Sequence, residues 1–425
     1  MNREERRQRR QRDTKQATIL FIIFLIAIVL AVAGLVFVIG RFVIKDREEK
    51  PKQPVETQTE QPSEETEPPT APVVDEAMTK AAEYVAGMTL EDKIAQMFVI
   101  TPDALTGFSG VTAAGDTTKE WYGKRPVGGI VYLSDNLKDP EQTRTMLQNM
   151  NTIARERTGL PAFLCVDEEG GSVARIAGNS AFGVTDVGNM AAIGATGDSQ
   201  NAYNAGNVIG GYLSELGFNV DFAPVADVIV TEGNAIGDRS FGTDSQLVAE
   251  MVTSELKGLS DAGVYGTAKH FPGHGSVSGD SHENAVSTDR GLEELKGTEL
   301  VPFQRAVDAG VPFIMAGHIA ALKVTGDDTP ASLSQVMLTD VLRTQMGYKG
   351  IVITDAMNMN AITSVYGADE AAVKAVQAGA DMILMPQDYE TAYNGLLDAV
   401  KNGTISEDRI NESLIRIVKA KQQLG

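Results

Sequence analysis

Four histidines occur in the whole chain, and three of them, His270, His274 and His282, fall within thirteen residues. Imidazole titrates nearer neutrality than any other unperturbed side chain, so such a cluster suits proton transfer, metal ligation or polar recognition. Pro272, Gly273, Gly275 and Gly279 predict a loop over residues 269–282 rather than a helix. Three readings of that loop follow. As metal ligands, His270 and His274 have i,i+4 spacing, but Pro272 and its glycine neighbours remove the helix that makes this spacing effective. As structure, the histidines and glycines would shape a rim of tight turns. As chemistry, Lys269 and His270 would bind hydroxyl groups, while Asp280 would orient His282 and stabilise its imidazolium form.

Other chemically capable groups recur in one context, directly after short apolar runs. Eight such runs follow residue 78, at 96–100, 129–133, 162–166, 219–222, 264–268, 312–316, 350–354 and 381–385. Most are rich in Val, Ile or Phe, as expected of strands buried on both faces. Amphipathic helices are predicted between several of them, at 140–155, 199–216 and 246–262. The alternation points to an α/β fold, a single (β/α)8 TIM-type barrel, with a doubly wound open sheet as the alternative. A barrel of this kind carries its chemistry at the C-terminal ends of its strands. Asp167 follows the third run, Lys269 and His270 the fifth, His318 the sixth and Asp355 the seventh. The bland readings are a helix N-cap for Asp355, a turn residue for Asp167 and a structural ion pair for Arg239.

The ends of the chain differ in character from this body. Residues 1–45 carry nine Lys/Arg against three Asp/Glu, a balance of +6, so the remainder is −26 within a total of −20. An acidic body argues against a nucleic-acid partner. Residues 17–40 contain no charge and are long enough to span a hydrocarbon core as a helix. Seven Lys/Arg precede them, which predicts a basic cytoplasmic tail at 1–16 and the rest of the chain outside the cell membrane. Cleavage after the small residues 31–33 is the competing reading, but the apolar run continues beyond them. Residues 41–77, rich in Pro, Glu, Gln and Thr, read as a disordered linker ahead of the barrel at 78–425. Cys165 is the only cysteine, which excludes an intrachain disulfide and a cysteine metal cluster, and it reads as a small hydrophobe of the third strand.

The stretch Lys269-His270-Phe271-Pro272-Gly273-His274-Gly275, followed by Asp280-Ser281-His282, resembles the signature of glycoside hydrolase family 3, in its β-N-acetylhexosaminidase branch. The resemblance extends over nearly all of 78–425. It includes 88–98, 127–130, Val166-Asp167-Glu168-Glu169-Gly170-Gly171 with Arg175, Asp221-Phe222-Ala223-Pro224-Val225-Ala226-Asp227, 236–241 and Ile353-Thr354-Asp355-Ala356-Met357. The resemblance implies Asp355 as nucleophile and His282, assisted by Asp280, as acid/base. It implies Asp167, Arg175, Arg239, Lys269 and His270 as holders of an N-acetylglucosamine unit. His274 would support the loop, and His318 would touch the site or stand just behind it. No metal or organic cofactor is implied, and the expected partner is an N-acetylglucosamine-containing glycan. Residues 230–235 depart from relatives in lacking their common Asn-Pro pair. The resemblance also implies a barrel without the second α/β domain of larger members, with its whole site on the barrel. A phosphorylase using the same site and a non-catalytic glycan-binding protein are the alternative functions.

Overall fold

A computed structural model of the protein describes residues 75–424, except Ser278, Asp280, His282 and Glu283. The expected tail, apolar span and most of the linker, like Asp280 and His282, therefore lie outside the described residues. Among the described residues no helix is long and apolar enough to cross a membrane.

Eight short strands form the centre: β1 (Phe98–Ile100), β2 (Gly129–Val131), β3 (Phe163–Val166), β4 (Val220–Asp221), β5 (Tyr265–Phe271), β6 (Phe313–Ala316), β7 (Ile351–Thr354) and β8 (Ile383–Leu384). Each lies within or across one of the eight apolar runs, and nearly every residue in them is buried, because helices cover the outside and side chains fill the inside. Neighbours pair in parallel in the order β7-β6-β5-β4-β3-β2-β1-β8. A parallel bridge between Ile353 and Met382 joins β7 to the start of β8. The sheet thus closes on itself, which excludes the open doubly wound arrangement.

That last seam is made partly by side chains. Val352 N donates to Asp381 Oδ2 at 2.9 Å, and Leu384 N donates to Thr354 Oγ1 at 3.1 Å. Asp381 is fully buried and also receives Arg416 at 2.9 Å, the Ser413 hydroxyl at 2.6 Å, and Arg343. Burial opposes its charge, but Arg343, Arg416 and Arg409 hold its carboxyl below the usual range. Arg409, Ser413 and Arg416 come from the final helix, Glu407–Gln423, which is thereby fastened to the N-terminal end of the barrel.

The outer helices begin and end for local reasons. Helix Pro140–Thr158 starts with Asp139, whose side chain accepts from Gln142 N, and with Pro140 in its first turn. It stops at Gly159, which takes φ 73°, a left-handed conformation that glycine adopts without steric cost. Helices Ser199–Leu216 and Ser245–Asp261 approach to backbone contact. A Cβ on Gly206 would lie 2.3 Å from Glu255 O, and one on Gly258 would lie 2.3 Å from Tyr203 O.

Strand β5 departs from expectation. The fifth run was expected to end at Ala268, but the strand continues through Lys269, His270 and Phe271, with Lys269 bridging to Val225 and Phe271 pairing with Ala316. Two polar residues masked this extension in the apolar pattern, because they sit where the barrel interior changes from core to site. Cys165 is buried in β3, and burial pushes its thiol well above the ordinary value, so it behaves as a core residue.

Candidate active site

The C-terminal ends of β3, β5, β6 and β7 bring Asp167, Lys269, His270, His318 and Asp355 to one mouth of the barrel. Lys269, on β5, is almost fully buried and reaches two carboxylates, Asp167 Oδ1 at 2.9 Å and Glu169 Oε1 at 2.5 Å. Glu169 belongs to a short strand, Glu168–Gly170, that turns back onto Val173–Ala174. Its other bonds go to Arg239, from Nε at 2.7 Å and from the terminal nitrogen at 2.8 Å, a bidentate pairing. Burial resists the charge on Glu169, yet Lys269 and Arg239 lower its carboxyl to about 2. Burial likewise opposes the charges of Lys269 and Arg239, and their carboxylate partners raise both well above their usual values. Two cations and two anions therefore interlock, with Asp167 and Arg239 the more exposed members.

His270 is held from behind by Asp227, a buried residue of the loop after β4. Its Nδ1 lies 2.8 Å from Asp227 Oδ2, and its backbone N donates to Oδ1 at 3.3 Å. A carboxylate accepts, so Nδ1 carries a proton and Nε2 is the nitrogen left for the site. Asp227 Oδ1 also accepts from His274 N at 2.6 Å, so one carboxylate fixes both the ring and the start of the following loop. His274 stands inside that loop, with Nε2 3.2 Å from Ser281 Oγ, and burial lowers its pKa. Its ring is 6.3 Å from that of His270 and nearly perpendicular to it.

Asp355 directly follows β7 and is partly buried. It is not a helix cap; the next helix, Asn360–Thr363, has Met359 at its N-cap. Asp355 N donates to Ala316 O at 2.8 Å, and its own Oδ1 accepts from Ala356 N at 2.7 Å. Burial alone would raise its pKa, but His270, His318, the Ala356 N–H and Lys269 together hold the carboxyl below its ordinary range. The group is an ionised carboxylate at neutral pH, suited to stabilise or bond to a developing cation. His318 is buried beside it, with Nδ1 2.8 Å from Ser332 Oγ and Nε2 3.0 Å from Ala356 O.

Arg175 lies on the turn after Val173–Ala174, partly buried, with no ion pair among the described residues. Arg239 does make the ion pair of its bland reading, and that pair is part of the site. The loop after β4 and the loop after β5 are stitched together where residues 230–235 depart from the family pattern. Val230 N and Thr231 N donate to Gly275 O, at 2.9 and 3.0 Å. Asn234 Nδ2 donates to His274 O at 2.9 Å and Val277 O at 2.6 Å.

Glu169 and Asp227 were not singled out by sequence reasoning. Both fall inside stretches that carry the family resemblance, but only the structure gives them partners. Among the described residues no group of three His, Cys, Asp or Glu side chains is arranged to hold a metal ion.

The model of the glycosyl hydrolase family 3 N terminal domain matches residues 89–420. Beta-hexosaminidase A of Pseudoalteromonas piscicida is 30% identical over 341 residues, covering 74% of this chain and 56% of the relative. Beta-hexosaminidase LpqI of Mycobacterium tuberculosis is 33% identical over 363 residues, covering 83% of this chain and 88% of the relative. Among solved structures, a family 3 beta-N-acetylglucosaminidase from a Paenibacillus species aligns with a TM-score of 0.74 and 38% identity, over 80% of this chain and 63% of that one. This chain thus spans little more than half the length of the Pseudoalteromonas relative and under two thirds of the Paenibacillus chain. With most of its length matched by the family model and by these enzymes, the chain belongs to glycosyl hydrolase family 3.

Proposed function

We propose that the protein is a retaining exo-β-N-acetylglucosaminidase that removes terminal β-linked N-acetylglucosamine from cell-wall-derived or other glycans. The observation that carries this reading is Asp355 at the end of β7, near enough to His270, His318 and Lys269 for their charges to hold its carboxyl below the usual range. A carboxylate so placed beneath an anomeric carbon stabilises an oxocarbenium-like transition state and then bonds to that carbon. The departing oxygen takes its proton from His282, assisted by Asp280. Water next attacks the glycosyl–Asp355 ester as His282 takes a proton back, releasing the sugar with its configuration retained. Lys269 has three N–H donors and two carboxylate partners, which leaves one for a sugar hydroxyl. Asp167, Arg175, Arg239 and His270 hold the same sugar ring.

The anchor reading completes the proposal. Residues 17–40 cross the cell membrane once, 1–16 stay in the cytoplasm, and the linker holds the barrel off the outer face. The described fold starts at Asp75, which caps helix Glu76–Ala86, rather than at 78.

The test uses the full chain in detergent with an aryl β-N-acetylglucosaminide and the matching aryl β-glucoside, with and without phosphate. Turnover of the first substrate in preference to the second is expected, with free sugar as product. Asp355→Ala should lower kcat by at least about 10³-fold, as loss of a nucleophile does. Activity surviving in that variant would overturn the reading. Sugar 1-phosphate as the main product would replace hydrolysis by phosphorolysis.

A further inference from the structure

We propose that His318 is a positioning residue for Asp355, acting through the peptide that follows the nucleophile, with Ser332 holding the ring from its far side. The inference rests on the assignment of Asp355 made above. His318 comes just after β6 and is 1% exposed. Its Nε2 lies 3.0 Å from Ala356 O, and a carbonyl only accepts, so Nε2 carries a proton. Its Nδ1 lies 2.8 Å from Ser332 Oγ, a hydroxyl that can donate or accept, so the ring keeps this orientation in either charge state. Ser332 is itself fixed, because its N donates at 3.2 Å to the carbonyl of Gly317, the residue before His318.

Ala356 is consequently gripped at both polar ends. Its N–H donates to Asp355 Oδ1 at 2.7 Å, and its carbonyl accepts from His318. The flanking residues are tied elsewhere, Asp355 N to Ala316 O at 2.8 Å and Met357 N to Leu384 O at 2.9 Å. The N–H lies in the 355–356 peptide and the carbonyl in the 356–357 peptide, so the motion left to oppose is a displacement of Ala356 as a whole, which would withdraw its N–H from the carboxylate. By holding the second peptide at its carbonyl, His318 resists that displacement. Both ring nitrogens of this buried histidine lie within hydrogen-bond distance of protein groups, one of a serine and the other of this one carbonyl.

The test compares His318→Leu, His318→Gln and Ser332→Ala in the full chain, by steady-state kinetics on the aryl N-acetylglucosaminide and by thermal unfolding. Misplacing a reacting group by about 1 Å costs on the order of 10²-fold, so His318→Leu should lose ~10–100-fold in kcat with KM nearly unchanged. His318→Gln, whose carboxamide N–H can reach the same carbonyl, should recover most of that loss. Folded His318→Leu with wild-type kcat, or with its loss confined to KM, would overturn the proposal. Should His318→Leu not fold, Ser332→Ala decides: lowered kcat at constant KM supports the clamp, and wild-type kcat overturns it. Asp355→Ala serves as the control. Activity surviving there defeats the nucleophile assignment, whereas an inactive Asp355→Ala beside a fully active His318→Leu defeats the clamp alone.

Discussion

Glu169 holds in place the two cations proposed to hold the sugar. Fully buried between Lys269 and Arg239, it gains more from them than burial takes away, which is why its carboxyl lies near 2. Removing one member of a buried ion pair costs about 3–5 kcal/mol, so Glu169→Gln should lower stability at pH 7 by roughly that amount in urea unfolding. A carboxylate depressed from 4.5 to about 2 contributes stability that is complete above 4.5 and vanishes as pH falls through about 2. The gap between the wild type and Glu169→Gln should therefore narrow over that window, and a constant gap would contradict the assignment. Sequence made the acidic pair visible at 168–169 but not which member faces the cations. Successive strand residues point to opposite faces. Glu168 turns to Ile176 N, Ala177 N and the Tyr212 hydroxyl instead. Only the partners, 70 or more residues away for Glu169, distinguish the two. Asp227 was obscure for the same reason, being defined by a ring 43 residues further on.

At the scale of elements, the site depends on two loops touching. A Cβ on Gly275 would sit 1.8 Å from Val228 O, so this position admits no side chain while the loops after β4 and β5 stay together. Gly275→Ala should push the histidine loop outward and reduce kcat by ~10–100-fold, as displacement of catalytic groups by about 1 Å does. Circular dichroism should show the barrel retained, and wild-type kcat in a folded variant would rule out this coupling. The eight strands were legible because buried parallel strands read as unbroken apolar runs. The end of β5 was not, since Lys269 and His270 interrupt that pattern while continuing the ladder. The stitching by Val230, Thr231 and Asn234 was also illegible. Loop-to-loop hydrogen bonds run through backbone carbonyls that any sequence possesses.

The whole molecule has a buried acid that the proposed chemistry does not use. Glu255, on helix Ser245–Asp261, is fully buried, and burial together with the nearby charge of Glu169 raises its carboxyl to about 8, with Lys269 only partly offsetting this. Folding therefore keeps a proton that the unfolded chain releases above about 4.5, and stability falls as pH rises from there to about 8. Glu255→Gln stays neutral throughout. Its stability relative to the wild type should therefore rise across this window, by on the order of a few kcal/mol at pH 8, and thermal midpoints measured against pH should diverge accordingly. Parallel midpoint curves would show that Glu255 is not the group responsible. One further property belongs to this scale. Most joins in the ring of strands are made by main chain, which any substitution other than proline leaves able to bond. Two joins also draw on side chains: β3–β4, where Asn219 and Asp221 accept from Leu164 N and Glu168 N, and β7–β8, where Asp381 and Thr354 supply two acceptors. Ring closure is thus partly heritable in single codons, and Thr354 lies one residue before the proposed nucleophile. A substitution at Thr354 thus changes a bond next to Asp355 while leaving every residue proposed to hold the sugar in place.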